Sequence, residues 1–156
     1  MRVPAICALL LATSASAGEM RYPATGAPAV TFAVPDGWSA KEADGKLQAV
    51  SADGSATVTM AIVAWTGSME ALADETLKAA HIDPPIDKTA VSIAGVHGFM
   101  FHAQQKDAGG KVRAVMFCDA MLGSGKALTG VLVAPDEEAP GRMAGLRMLD
   151  RLTLVP

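Results

Sequence analysis

The chain has 156 residues and a formal net charge of −3, with 51% hydrophobic residues but only 4% aromatic ones. This length suits one domain that buries a sizeable core without disulfide or metal staples. The acidic balance and the absence of a basic run argue against nucleic acid or an anionic membrane surface as a partner.

The first 17 residues have the pattern of an export signal. Arg2 provides a positive start, residues 3–12 are apolar, and Ala15-Ser16-Ala17 is a small-residue cleavage motif before Gly18. The apolar stretch is far shorter than the roughly 20 residues that a spanning helix needs. We therefore expect cleavage of residues 1–17 and a periplasmic or secreted protein without a transmembrane segment. The alternative is an uncleaved anchor on a subunit of a membrane-associated complex.

The two cysteines cannot pair in the mature protein. Cys7 lies inside the signal, which leaves Cys118 alone. An exported protein with a single thiol forms no internal disulfide, so its stability must come from the core.

The first part of the mature chain predicts short strands and one helix. Residues 18–29, which contain Pro23, Gly26 and Pro28, are expected to be a mobile N-terminal lead-in. Alternating apolar residues and turn signals then predict strands at Val30–Val34, Trp38 to about Glu42, Lys46–Ser51, Ser55–Trp65 and Lys88–Ile93. The Pro35-Asp36-Gly37 tripeptide is a turn signal between the first two strands. Ser68 can cap a helix that runs to about His81, and Asp83-Pro84-Pro85 ends it.

The second part predicts an antiparallel meander and a closing helix. Three apolar runs, Val96–Lys106, Lys111–Leu122 and Ala127–Val133, are separated by short loops that contain glycine, which is typical of hairpins. Gly123-Ser-Gly-Lys126 resembles the end of a phosphate-binding loop, but it joins two strands and is interpreted as a turn. A helix starts near Pro140, and Leu152–Val155 forms an extended tail. The prediction is a single α+β domain over residues 30–156, with an antiparallel sheet of about six or seven strands covered by two helices.

One short stretch within this order of elements resembles a known fold family. Val34-Pro35-Asp36-Gly37-Trp38, at the end of an apolar strand that follows an export leader, resembles the PsbP/Mog-like fold of photosystem II extrinsic proteins and small bacterial exported proteins. The resemblance spans about Val30–Val155 and implies an αβα sandwich with a non-enzymatic binding or assembly role. It carries over no functional residue, because the matching stretch is a turn.

The meander contains one group of candidate site residues, which comprises His97, His102, Cys118 and Asp119. A four-residue loop at Asp107–Gly110 would place Phe99 opposite Cys118 and Met100 opposite Phe117. On that register His97 and Cys118 are diagonal neighbours, about 7–8 Å apart, on a core face. That core face would comprise Phe99, Phe101, Met116, Cys118 and Val131. The other face would carry His102, Arg113 and Asp119, with Met100 and Val115, as a speculative binding face.

Two functional hypotheses follow. A Cys–His pair can supply a nucleophile and a base, and His, Cys and Met are ligands of copper and zinc. However, mid-strand cysteines behave as small hydrophobes, and the ligand spacings of common metal sites are absent from the sequence. The first hypothesis is an exported, non-catalytic binding or assembly accessory protein without a cofactor or metal, whose partner is another exported protein or a small ligand. The alternative is a periplasmic metal-handling or thiol-dependent enzyme that uses His97, His102 and Cys118.

Overall fold

The computed structural model describes residues 14–82 and 85–156. Most of the predicted signal, including Cys7, lies outside the described residues, and so does the Asp83-Pro84 pair that was predicted to end the first helix. Neither helix within the described ranges has the length and apolarity that crossing a bilayer requires.

The described residues form one antiparallel sheet and two helices. In chain order the elements are β1 (Ser14–Tyr22), β2 (Ala29–Ala43), β3 (Lys46–Val50), β4 (Thr57–Ala64), α1 (Met69–Ala79), β5 (Asp87–Ile93), β6 (Val96–Lys106), β7 (Val112–Gly123), β8 (Lys126–Ala134), α2 (Pro140–Asp150) and β9 (Thr153–Val155). The strand order is β1-β2-β3-β4-β8-β7-β6-β5, and β9 pairs with β2. The predicted α+β class, with an antiparallel sheet and two helices, is confirmed. The nine strands in the described part exceed the predicted six or seven.

One additional strand comes from the predicted N-terminal lead-in. Gly18–Tyr22 pairs with Val30–Val34 of β2, so this part of the lead-in is a strand. Its side chains alternate: Tyr22 is only 2% exposed and Met20 packs on the core, whereas Glu19 is exposed. The Tyr22 hydroxyl donates to the carbonyl of Gly45 at 2.6 Å and accepts the Ile62 amide at 3.3 Å. The segment is too short for its period to stand out against the prolines and glycine that follow.

The two strands predicted around Trp38 are a single strand. β2 runs through Pro35-Asp36-Gly37, where Gly37 takes a φ of +76°. The ladder with β1 jumps from Ser39 to Val34 at this point, so the tripeptide bends the strand and does not reverse it. Trp38, 4% exposed, holds the bent strand in the core.

Helix α1 begins where the sequence predicted. The Ser68 hydroxyl accepts the Ala71 amide at 3.1 Å, which satisfies one of the open N–H groups of the first turn. One side of the helix is buried, through Met69, Leu72, Ala73 and Leu77. The helix ends at Ala79, and His81 follows with a φ of +57°.

The two helices pack on opposite faces of the sheet. Ala73 and Leu77 of α1 lie on Phe101, Phe117 and neighbours at odd-numbered positions of β6, β7 and β8. Met148 and Leu149 of α2 belong to the main core, together with the even-numbered positions of β7 and β8 and the inner residues of β2, β3 and β4, and the helix packs chiefly on β2 and β8. Close approach of α2 depends on Gly145, where a Cβ would lie 2.6 Å from the Leu132 Cδ1 atom.

The register of the central hairpin differs from the predicted one by one residue. Phe99 pairs with Asp119, Met100 with Cys118 and Phe101 with Phe117. The hairpin closes at Lys106–Val112, so its loop has one residue more than expected. The Asp107 carboxylate stabilises this longer loop by accepting the amides of Gly109 and Lys111 at 2.9 and 3.0 Å. A shift of one residue moves the side chains of one strand to the opposite face of its partner, so the prediction that Phe99 and Phe101 share a face with Met116 and Cys118 was wrong.

Gly98 is expected to tolerate no side chain. A Cβ at this position would lie 2.4 Å from the backbone oxygen of Asp119, which cannot move without breaking the β6–β7 ladder. We expect Gly98→Ala to lower the free energy of unfolding by about 1–3 kcal/mol, the usual cost of overpacking. Urea denaturation measures the change. Gly109→Ala is the control, since its Cβ would meet only the Asp107 carboxylate at 3.3 Å. Equal destabilisation by both substitutions would contradict the prediction.

Candidate functional site

The speculative binding face of His102, Arg113 and Asp119 is not assembled. His102 pairs with Met116, on the α2 side of the sheet, whereas Arg113 and Asp119 lie on the α1 side of β7. Arg113 and Asp119 are six residues apart on one strand, or about 20 Å. The one-residue change of register and the alternation of side chains separate the three residues.

His102 holds the edge strand β5. Its Nδ1 atom lies 2.7 Å from the Asp87 Oδ1 atom, and its backbone amide donates to the same oxygen at 3.2 Å. Its carbonyl accepts the Ile86 amide at 2.7 Å. The hydrogen bond from the His102 side chain is the main reason that the pKa of Asp87 is below its usual value. These contacts fix the start of β5 on β6 and explain His102 without a ligand.

Arg113 has a similar local role at the other end of the hairpin. Its Nε atom donates to the Asp107 Oδ2 atom at 3.2 Å. The other carboxylate oxygen holds the loop, and the Lys111 amide is the main cause of the lowered pKa of Asp107. Arg113 therefore supports the loop that sets the register.

The residues of the enzyme hypothesis are also separated. His97 packs edge-on against Phe99, with 5.4 Å between ring centroids, on the α1 face. Cys118 points to the α2 face, so the predicted diagonal contact between His97 and Cys118 is wrong. Within residues 14–82 and 85–156, no three His, Cys, Asp or Glu side chains lie close enough to hold a metal ion together.

Cys118 is enclosed by the core. Its side chain is 0% exposed, and burial raises the pKa of the thiol to about 12. Gly130 on β8 makes the space for it, since a Cβ there would lie 2.5 Å from the Cys118 Sγ atom. A thiol in this setting is neither ionised nor accessible at neutral pH.

Asp119 is the chemically unusual residue of the three on the speculative face. It is 0% exposed, and neither carboxylate oxygen has a hydrogen-bond partner of ordinary geometry among the described residues. Burial raises the pKa of Asp119 to about 7, against a smaller opposing effect of the Thr76 hydroxyl on α1. The sequence singled out Asp119 as the acid inside a predicted strand but placed it on an accessible face.

A surface that the sequence analysis missed lies on the same side of the sheet as α1. The helix covers β6, β7 and part of β8, but no helix among the described residues covers β2, β3 and β4 on that side. We call the polar part of this uncovered area the open face, and it consists of Ser39, Lys41, Lys46, Gln48, Thr57 and Thr59. The first four of these residues are exposed and the two threonines are half-buried. The alternating burial along β3 is the signal that identifies its outer residues.

The charge of the open face is opposite to that of the chain. It carries two lysines and no carboxylate, whereas the net charge of the chain is −3. Neither Lys41 nor Lys46 takes part in an ion pair with the described residues. A shallow depression of about 270 Å³ lies beside Lys41 and Gln48. A larger depression of about 590 Å³ lies at the end of α1, and none of the predicted site residues lines it.

Comparison with known proteins supports the fold alone. No protein-family model and no curated protein matches the sequence. The chain is similar to a protein from Bacteroides thetaiotaomicron VPI-5482 whose crystal structure was determined at 1.50 Å resolution. The two are 11% identical, with a TM-score of 0.57 over 81% of this chain, which spans 45% of that protein's length.

The thiol of Cys118 is expected to be unreactive in the native protein. Because the Cys118 side chain is enclosed, a maleimide reagent can reach it only when the structure opens. We therefore expect labelling of the native protein to be at least about 10³-fold slower than labelling of the urea-unfolded chain. Mass spectrometry measures both rates. The matched control is the double variant Cys118→Ala/Ser39→Cys, whose exposed thiol should react as fast in the native protein as in the unfolded chain. Native labelling of Cys118 as fast as the control would contradict the burial.

Proposed function

We propose that the protein is an exported, non-catalytic binding or assembly accessory protein that docks an acidic partner protein on the open face. The observation that carries the proposal is the half-covered sheet: in the described part of the chain, the side with α1 stays uncovered over β2, β3 and β4 and presents two lysines that form no ion pair there. The remaining members of the open face are short or neutral, so a flat partner surface can approach closely.

The charges define the partner. Lys41 and Lys46 lie on neighbouring strands, β2 and β3, on the same side of the sheet. Glu42, next to Lys41, lies on the opposite side of β2 and accepts the Ala24 amide at 2.9 Å, and Asp44 lies in the turn between the two strands. Opposite charges on the partner would speed the encounter and set its orientation, with a modest gain in affinity that salt weakens. A carboxylate-rich protein surface fits these requirements.

The export assignment rests on the N-terminal sequence. Cleavage after Ala17 would remove Ser14–Ser16, which pair with Ser39–Lys41 of β2. Gly18–Tyr22 would keep its own pairing with Val30–Val34, so the strand that anchors Tyr22 would remain. Processing would therefore leave β2 with an unpaired edge next to the open face, which agrees with a docking role there.

We also propose a relationship to the PsbP/Mog-like fold. Two features support it: an antiparallel sheet with one helix on each face, and the Val34–Trp38 stretch, whose end residues are both 4% exposed. The buried ends of this stretch serve the core. The relationship therefore concerns architecture and adds the general expectation of an accessory role.

The docking proposal predicts a localised, charge-dependent response to an acidic probe. We expect an octaglutamate peptide, added to the ¹⁵N-labelled protein at low salt, to shift the amide signals of β2 and β3 around Lys41 and Lys46. The double variant Lys41→Gln/Lys46→Gln should weaken binding about 3- to 10-fold, since each exposed ion pair contributes about 0.2–1 kcal/mol. The measurement is the dissociation constant from the titration.

The matched control removes the same charge elsewhere. Lys78→Gln/Lys106→Gln changes two exposed lysines, one on α1 and one at the end of β6. This variant should bind octaglutamate as the unsubstituted protein does, and octalysine should give no shifts on the open face. Equal weakening by the two double variants, or no shifts on β2 and β3, would overturn the docking surface.

Export predicts a defined N-terminus. Protein recovered from the exported fraction of cells should begin at Gly18, because the cleavage motif ends at Ala17. Intact-mass measurement determines the first residue. Protein that retains Met1 and sediments with membranes would instead support the uncleaved anchor.

A further inference from the structure

Asp119 lies between α1 and the sheet, beside Thr76, and its carboxylate oxygens make no hydrogen bond of ordinary geometry with the described residues, a position that demands an explanation. We propose that Asp119 is a pH-responsive latch: the protonated side chain lets α1 stay on the sheet, and ionisation releases α1 and exposes the apolar strip beneath it. The proposal concerns the covered half of the sheet and does not depend on the docking surface proposed above.

The contacts of α1 define what the latch covers. Ala73 and Leu77 pack over Phe101 and Phe117, and Met69 and Leu72 pack near Phe99. Three of the four phenylalanines of the chain therefore lie under this helix. Asp119 pairs with Phe99 across the β6–β7 ladder, which places its carboxyl group inside the same interface.

An ionised carboxylate in this interface is unfavourable. Burying an unpaired charge costs several kcal/mol, and proteins relieve the cost by neutralising the group or by letting water reach it. Water can reach Asp119 only if one of its neighbours moves. β7 is hydrogen-bonded to β6 and β8 over nearly its whole length, whereas α1 is held mainly by packing of its side chains. The helix is therefore the element that yields.

Among the described residues, no charged group shifts the pKa of Asp119. Burial raises its pKa and the Thr76 hydroxyl lowers it, and no charge–charge effect contributes. The charged groups of α1 lie on its exposed side. On β5 and β6, Lys88 and His97 contact the Phe99 ring. On β7, Cys118 points to the other face of the sheet and Arg113 pairs with Asp107. Lys46 shares the cross-strand row of Asp119 but lies three strands away, about 14 Å. Lys126 begins β8, three residues or about 10 Å along the strand from Thr129, the partner of Asp119. The charged residues of α1 are Glu70, Asp74, Glu75 and Lys78.

The direction of the pH effect follows from proton binding. Between its ordinary pKa near 4 and the raised pKa of about 7, docked Asp119 binds more protons than exposed Asp119 does. Docking of α1 therefore weakens as pH rises through this range, by up to tenfold per pH unit, and levels off above pH 7. The turn carboxylates act at lower pH: the pKa of Asp53 is lowered to about 2, mainly by the Ser51 hydroxyl, and those of Asp87 and Asp107 are lowered too.

Hydrogen exchange of the α1 amides tests the latch directly. Rates measured from about pH 4.5 to 8.5 are converted to opening constants, which removes the intrinsic catalysis of exchange by base. We expect the opening constant of α1 to rise about tenfold per pH unit and to flatten near pH 7. In Asp119→Asn, a neutral side chain of the same shape, the constant should not change with pH. Amides of β7 and β8 should stay protected when α1 opens, which distinguishes local release from global unfolding.

Two further variants complete the test. Thr76→Val removes the hydroxyl that lowers the pKa of Asp119, so the rise in α1 opening should continue above pH 7. Asp74→Asn neutralises an exposed acid on the same helix and should behave as the unsubstituted protein. The proposal is overturned if α1 opening in the unsubstituted protein is independent of pH, or if β7 opens together with α1. Because the unsubstituted protein and Thr76→Val give their own profiles, the test stands even if Asp119→Asn does not fold.

Discussion

The structure depends on one strand that is buried on both faces. β7 lies between β6 and β8, and seven consecutive residues from Ala114 to Ala120 are buried. Such a strand must be apolar on both sides, because neither side reaches water. The run satisfies this requirement at every position except Asp119. Since α1 packs on one face of β7 and the main core, to which α2 belongs, lies on the other, the position of every side chain in this strand decides which of the two it joins.

The side chains of β7 depend in turn on one loop. Asp107 accepts two backbone amides and the Arg113 side chain, and these bonds stabilise a β6–β7 loop with one residue more than the sequence suggested. With the shorter loop, Phe99 and Cys118 would share a face; with the longer one, Phe99 faces α1 and Cys118 faces α2. The β6–β7 hairpin itself could be predicted, because two apolar runs flank a loop that contains glycines. Loop length could not, because side-chain hydrogen bonds to the backbone select it and several spacings satisfy the same pattern.

The same distinction separates the predictable from the unpredictable part of the candidate site. Local sequence signals were sufficient to predict α1, because its cap and its apolar side are formed by residues close together in the sequence. They were not sufficient for β2, where Pro35–Gly37 bends a strand whose continuity depends on pairing with other strands. Asp119 stood out because acids are rare inside strands, yet only the packing of α1 shows that it is enclosed. Likewise, the alternation along β3 identifies outward residues, but which half of the sheet a helix covers depends on contacts between distant parts of the chain.

The covered and open halves belong to one continuous surface. A single cross-strand row runs from Lys41 through Gln48, Thr59, Val131, Phe117 and Phe101 to Lys88. Its polar end is open and its aromatic centre lies under α1. Departure of α1 would therefore extend the lysine-bearing surface by an apolar strip, without any change in the sheet. Burial of that strip would add to binding at about 25 cal/mol per Å² of apolar area, whereas exposed lysine pairs each add little. A partner that covers this strip would have to leave Asp119 in contact with water or place a cation against it, because burial of its unpaired charge is what releases α1.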